Sequence, residues 1–510
     1  MPDTPEQIYA KACEHARQTA LLGSVESLLN WDERTVMPAA GAEYRAEQMA
    51  LLSLLAHERL TDARFGAWLD ELANTHLAQP AEGDSGTTIR WLKRRHDRAA
   101  KLPASLVEEL ARASVLGQQA WQDARRQDDF CLFQPHLEKM LRLKQQEAEA
   151  LGYQDSPYDA LLDDYEPDAR TAHVGEVLSA LRDELVPLVA AIRDSSRRPD
   201  TSILTRYYPI EEQEALGTLA AQRFGFDFAR GRLDTTAHPF CVTAGPHDCR
   251  ITTRYNPHHF NESFFGILHE AGHGIYEQGL PSEHFGLPLG QAVSLGIHES
   301  QSRLWENFVG RSRAFWEYFY PEAQQAFPEA LGGVSEDEFH FAVNEVRPSL
   351  IRVEADEATY NLHILIRFQL EIALLSGELP VADLPLAWCE QYRKYLGVQP
   401  DRDADGVLQD IHWSAGLFGY FPTYALGNLC AAQLFARAEK DLGGLERPIA
   451  DGQFQPLRDW LRQNVHQHGQ RFSAPALIEK VTGEPLSHAP LMQYLRSKLG
   501  PLYRFQCPPQ

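Results

Sequence analysis

Two histidines four residues apart, with a glutamate directly after the first, make up His269-Glu270-Ala271-Gly272-His273, which continues the apolar run Phe264-Phe265-Gly266-Ile267-Leu268. On a helix, one turn separates the two imidazoles, so both project from one face and can share a zinc ion. Glu270 then sits beside them, placed to take a proton from a water that the metal activates. The competing reading is a pair of surface histidines on a packed helix. The surrounding Phe, Ile and Leu weigh against it, because they bury polar groups that must then find partners.

A hydrolytic metal site needs a third protein ligand and a position left open for water. Metzincin spacing would require Gly at 276 and His at 279, but Tyr276 and Gly279 stand there. The alternative is a carboxylate on a later helix. After a helix end and a loop through Pro281 and Pro288, the segment Gln291 to Arg303 supplies Glu299, which is read as the third ligand. His298 is its neighbour, about 100° round the helix, and so lines the groove or supports a ligand rather than binding the metal.

The elements that must carry these residues read mostly as helix. Thr4-Pro5-Glu6-Gln7 has the form of a capping box with proline at the first helical position. The pattern from His136 to Leu151 stops at Gly152, and another long helix is predicted from about Ile351 to Gly377. The exception lies between about 236 and 256, where two short strands are expected around Ala244-Gly245-Pro246-His247-Asp248. Loop compositions occur at 79–86, 197–200 and 399–406, and no internal repeat is visible. The expectation is an all-α unit over residues 1–510 with a small sheet, its lobes an N-terminal helical region over 1–200 and a catalytic region over 201–510.

Composition narrows the partners. At 44% hydrophobic and 23% charged, the chain of 510 residues is neither disordered nor fibrous. The 48 basic against 71 acidic residues give a charge of −23, which repels phosphate backbones and argues against nucleic acid or anionic membrane as partner. Seven scattered cysteines without a CxxC spacing suit a reducing compartment and offer no thiolate metal site. No basic, apolar leader opens the sequence and no apolar run approaches the roughly 18 residues of a span, so a cytoplasmic location is expected.

Several further motifs share one family pattern. They are Trp31-Asp32 with Thr35-x-Met37-Pro38, Tyr158-Asp159-Ala160-Leu161-Leu162 running into Asp164-Tyr165-Glu166-Pro167, His238-Pro239-Phe240, Asp248-x-Arg250-x-Thr252, Ile351-Arg352-x-x-Ala355-Asp356 and Gly406-x-x-Gln409-Asp410-x-His412-Trp413. Together with His269-Glu270-x-x-His273 and His298-Glu299-Ser300-Gln301, they make the chain resemble the carboxypeptidase Taq family over nearly its whole length. The resemblance implies an elongated helical fold with a deep groove, similar to neurolysin-like and angiotensin-converting-enzyme-like peptidases. It also implies removal of single residues from peptide C-termini, a zinc or cobalt ion, and a homodimer. One contrast with thermolysin-type enzymes is Arg303, four residues after Glu299, where those enzymes carry an acid.

A carboxypeptidase must hold a terminal carboxylate, which an arginine fork matches in charge and shape. Arg352 and Arg250 are the candidates; the competing roles are pairing with Asp356 and with Asp248, respectively. By likeness to related helical metallopeptidases, His412 and either Tyr424 or Tyr420 should face the oxyanion, the latter two being otherwise plain core aromatics. His238 borders the groove. The competing functions are an oligopeptidase that cuts internal bonds, and a non-catalytic peptide-binding scaffold, against which an intact Glu270 speaks.

Overall fold

A computed structural model describes residues 2–505; Cys507 lies outside them. Its first helix, Pro5–Thr35, starts as the sequence predicts: the Thr4 side chain accepts from Gln7 N, and Thr4 N donates to Gln7 Oε1 at 2.9 Å. The helix Gln134–Leu151 ends at Gly152, whose φ of 83° few other residues adopt. The helix expected from Ile351 begins later, spanning Tyr360–Ser376. The cause is Asp356, whose carboxylate accepts from the backbone N–H groups of Ala358 and Thr359 and holds a turn where the pattern suggested helix.

The sheet has three strands, β1 (Gly231–Thr235), β2 (Cys241–Thr243) and β3 (Cys249–Thr253), in the order β1-β3-β2. β1 runs parallel to β3 and β2 antiparallel to it. The sequence reading missed β1, because Gly-Arg-Leu-Asp-Thr has one apolar residue and no alternation to mark it. β3 buries Cys249 and Ile251 and contributes to one apolar core with the helix Phe260–Gly279, which carries His269 to His273.

That core extends from Leu106 to Tyr503. A second, smaller cluster joins Ile8, Phe65, Leu69 and Ile89 of the N-terminal helices to Leu287. The cores thus divide between the N-terminal helices and the rest, because Tyr158 to Ile192 bury their apolar faces in the large core. Among the described residues, no helix is long and apolar enough to cross a membrane.

Three helices converge on the site. Phe260–Gly279 presents the HExxH residues, Leu295–Arg303 returns beside it with Glu299, and Pro422–Leu442 packs against Leu295–Arg303. Glycine permits the approach: a Cβ on Gly272 would lie 2.7 Å from Gln301 O, and one on Gly427 would lie 2.5 Å from Glu299 Cγ.

Candidate metal centre

His269 and His273 sit one turn apart on Phe260–Gly279, and their Nε2 atoms lie 3.5 and 3.4 Å from Glu299 Oε2. One ligand atom from each of these three residues lies within 4.8 Å of the others, the only such group of His, Cys, Asp or Glu donors among the described residues. Two imidazole nitrogens and one carboxylate oxygen are the donor set of a catalytic zinc site with positions left for water and substrate. The remaining ring nitrogens are held from behind, which leaves Nε2 for a metal. His269 Nδ1 meets Glu306 Oε2 at 2.9 Å, and His273 Nδ1 meets His298 Nδ1 at 2.5 Å. His298 Nε2 in turn meets Glu277 Oε1 at 2.8 Å.

Glu306 reaches His269 because the returning helix changes pitch. After Arg303 the chain enters a π-helical turn, Leu304–Val309. Arg303 donates to Glu299 Oε1 at 2.7 Å and to Glu306 Oε2 at 3.2 Å, so one guanidinium joins the third ligand to the carboxylate that orients the first. Burial would raise the Glu306 carboxyl, but Arg303, the His269 contact and Arg311 hold it down to about 2. Glu270 differs: it is 6% exposed, and burial together with the nearby Glu299 pushes it up to about 7, close to neutral pH.

On the Glu299 side stands a polar aromatic cluster. The Arg303 guanidinium lies 4.6 Å from the Tyr360 ring centre, and Tyr360 Oη accepts from Arg352 Nη1 at 3.0 Å. Arg352 is buried; its Nε and Nη2 donate to Asp410 Oδ1 at 2.9 and 2.8 Å, and its guanidinium lies 5.2 Å from the Tyr424 ring centre. Its ion-pair partner is therefore Asp410 and not Asp356, which the turn consumes. Arg367, wholly buried, shares Asp410 through Oδ2 at 2.6 Å. His412 Nε2 faces Tyr424 Oη at 3.3 Å, while its Nδ1 makes no hydrogen bond among the described residues and lies 3.9 Å from Asp410 Oδ1. Burial lowers His412 to about 4, so the ring is neutral at pH 7. The Tyr420 ring centre lies 5.4 Å from that of Tyr424.

Two sequence candidates stand elsewhere. Arg250 directs Nε and Nη2 at Asp248, each at 2.8 Å, and packs 4.2 Å from the Trp31 ring centre. His238 is exposed in the loop between β1 and β2.

Comparison with known proteins decides the family. The profile of the Carboxypeptidase Taq (M32) metallopeptidase family matches residues 11–499. This chain belongs to that M32 family. Thermostable carboxypeptidase 1 of Thermus thermophilus is 50% identical over 509 residues, covering 98% of this chain and 100% of that protein. Carboxypeptidase 1 of Bacillus subtilis is 40% identical, covering 94% of this chain and 95% of its own. The crystal structure of M32 carboxypeptidase from Deinococcus radiodurans R1 is similar at a TM-score of 0.94 and 41% identity, over 98% of this chain and 100% of that one. As an M32 member the protein is an enzyme, a metal-dependent carboxypeptidase with the predominantly helical fold of its structural neighbours.

Sequence reasoning missed Glu306, Tyr360, Arg367 and Glu277 at this M32 site. Asp410 was legible only as part of the Gln409-Asp410-x-His412 pattern. Glu277 follows His273 by one turn of the same helix, a spacing that could have marked it; Glu306, Tyr360 and Arg367 carry no such signal, because distant segments and one π-helical turn bring them to the site.

Proposed function

We propose that this M32 enzyme releases C-terminal residues from peptides with a free carboxylate, with His269, His273 and Glu299 holding a zinc ion and Glu270 acting as general base. The observation that carries the proposal is Arg352, joined to Glu299 through Tyr360 and Arg303. Of the five N–H donors of a guanidinium, three are engaged by Asp410 and Tyr360, which leaves two for a substrate carboxylate. Arg367 compensates the charge of Asp410, so Arg352 keeps a net attraction for an incoming anion. Arg250 has its fork closed by Asp248 and is assigned a subsidiary place; His238 is assigned to the rim of the groove. His298 supports His273.

When bound, the metal polarises water and the scissile carbonyl. Glu270, held near 7, accepts the proton of the attacking water and delivers it to the leaving amine. Tyr424, with Tyr420 behind it, and the neutral His412 supply donors toward the developing oxyanion. Zinc is the proposed metal on the strength of the His-His-Glu donor set, with cobalt as its substitute in the test.

The same reading includes a homodimer and a cytoplasmic location. The helix Ala42–Leu60 buries none of its residues within the chain, and Leu21, Leu51 and Leu54 on the first two helices are each more than half exposed. A second copy is the proposed cover. The six described cysteines are all free, as a reducing compartment requires.

The deciding experiment compares free-acid and amidated peptides on wild type and Arg352→Ala. Wild type should release the C-terminal residue of the acid and leave the amide nearly untouched. Arg352→Ala should lower kcat/KM on the acid by roughly ten- to hundredfold, the worth of a charge-assisted contact. Equal losses on both substrates would overturn the assignment and favour cleavage of internal bonds.

A further inference from the structure

Cys241 on β2 and Cys249 on β3 place their Sγ atoms 3.7 Å apart, both free thiols. Cys249 is almost wholly buried and touches the carbonyl of Gly274, the residue after the metal-site His273. Across the ladder from Cys249 stands Thr243, two residues from Cys241. Thr243 Oγ1 donates to Glu277 Oε2 at 3.2 Å, Glu277 Oε1 meets His298 Nε2 at 2.8 Å, and His298 meets His273. The thiol pair therefore grips both ends of a chain of contacts that ends on a metal-binding histidine. A cavity of about 890 Å³ reaches Cys249 from outside, lined by Ser24 and Ser27 of the first helix and by Thr243, Cys249, Glu277 and Gln278.

We infer that Cys241 and Cys249 form a reversible dithiol–disulfide site, closed by small hydroperoxides that enter through this cavity, and that closing it lowers peptidase activity. One thiolate attacks a peroxide oxygen and becomes a sulfenic acid as the first water leaves. The second thiol displaces that oxygen as a second water and forms the S–S bond. Hydrogen peroxide is thus reduced to two waters, and the two thiols are oxidised to one disulfide. A disulfide holds its sulfurs at about 2.05 Å, so closure draws β2 and β3 together and shifts Thr243 against Glu277. The neighbouring Cys249 and burial hold the Cys241 thiol above its ordinary range, so its thiolate is scarce and closure requires sustained exposure to peroxide.

The test treats the metal-loaded enzyme with hydrogen peroxide and then alkylates it in denaturant. Trypsin releases both cysteines on one peptide, Leu233 to Arg250, in which no other cysteine occurs. The expected result is a peptide lighter by two hydrogens and without alkyl label. With it, kcat/KM should fall about tenfold or more, since displacements near 1 Å in a site can cost that much, and dithiothreitol should restore both. Cys241→Ser and Cys249→Ala should hold their activity through the same treatment. Full alkylation of both thiols after peroxide, a disulfide without change in activity, or equal inactivation of the variants would each overturn the inference. The mass readout does not depend on which peptide the enzyme prefers.

Discussion

His269 is useful to a metal only with its proton on Nδ1, and Glu306 at 2.9 Å fixes it there. Glu306→Gln should weaken zinc binding by roughly 10- to 100-fold in a competition assay with a fluorescent chelator, although no metal-binding atom is removed. Glu270→Gln should do the reverse. It keeps its metal and loses about 10²- to 10⁴-fold in kcat, measured on protein whose zinc content is checked by atomic absorption. The difference between these residues also explains what could be read in advance. Glu270 announces itself by standing between two histidines at helical spacing. Glu306 lies within a π-helical turn that no residue pattern marks, so its distance from His269 along the chain says nothing of their contact. Arg352 is intermediate: its importance could be read from its motif, but its partner, Asp410, comes from a distant loop.

The helix Leu295–Arg303 has nine residues, too few to hold its position alone, and it is fixed at both ends. At its start, Ser294 Oγ accepts from Ile297 N, Tyr165 O accepts from Leu295 N, and the Glu166 carboxylate accepts from Gly296 N. Burial pushes Glu166 from 4.5 up to about 8, against the lowering effect of Ser294 and Gly296. The folded protein thus holds a proton that the unfolded chain releases, and the stabilisation from this group is lost as pH rises from about 4.5 through about 8. Over that window, melting curves should show wild type losing stability relative to Glu166→Gln by an amount on the order of a few kcal/mol. Further along, Gly427 leaves room for Glu299 itself. Gly427→Ala should push the Glu299 side chain aside, costing about 1–3 kcal/mol in denaturant unfolding and most of the bound metal. The capping box at Thr4 and the stop at Gly152 could be read from local chemistry alone. The late start of the helix at Tyr360 could not, because Asp356 prefers its own turn to the helical pattern around it.

At the scale of the molecule, the large core from Leu106 to Tyr503 is apolar packing that includes no metal-binding side chain. Chelation should therefore abolish turnover while far-UV circular dichroism stays that of the helical fold, and restored zinc should recover activity without refolding. The helical class was legible because caps and periodicity recur along the chain. The division of the cores was not, since it depends on which helices bury their faces together. The pairing of Arg352 and Arg367 on the single carboxylate of Asp410 bears on how a peptide arrives. These three groups sum to one positive charge, set inside a molecule of charge −23. An acidic peptide is repelled at long range and welcomed at short range. At 0.1 M salt, repulsion is screened beyond about 10 Å, whereas the buried fork is barely affected. Raising ionic strength should therefore speed the capture of acidic peptides and slow that of basic ones, so the rank order of substrates becomes a property of the buffer as well as of the groove.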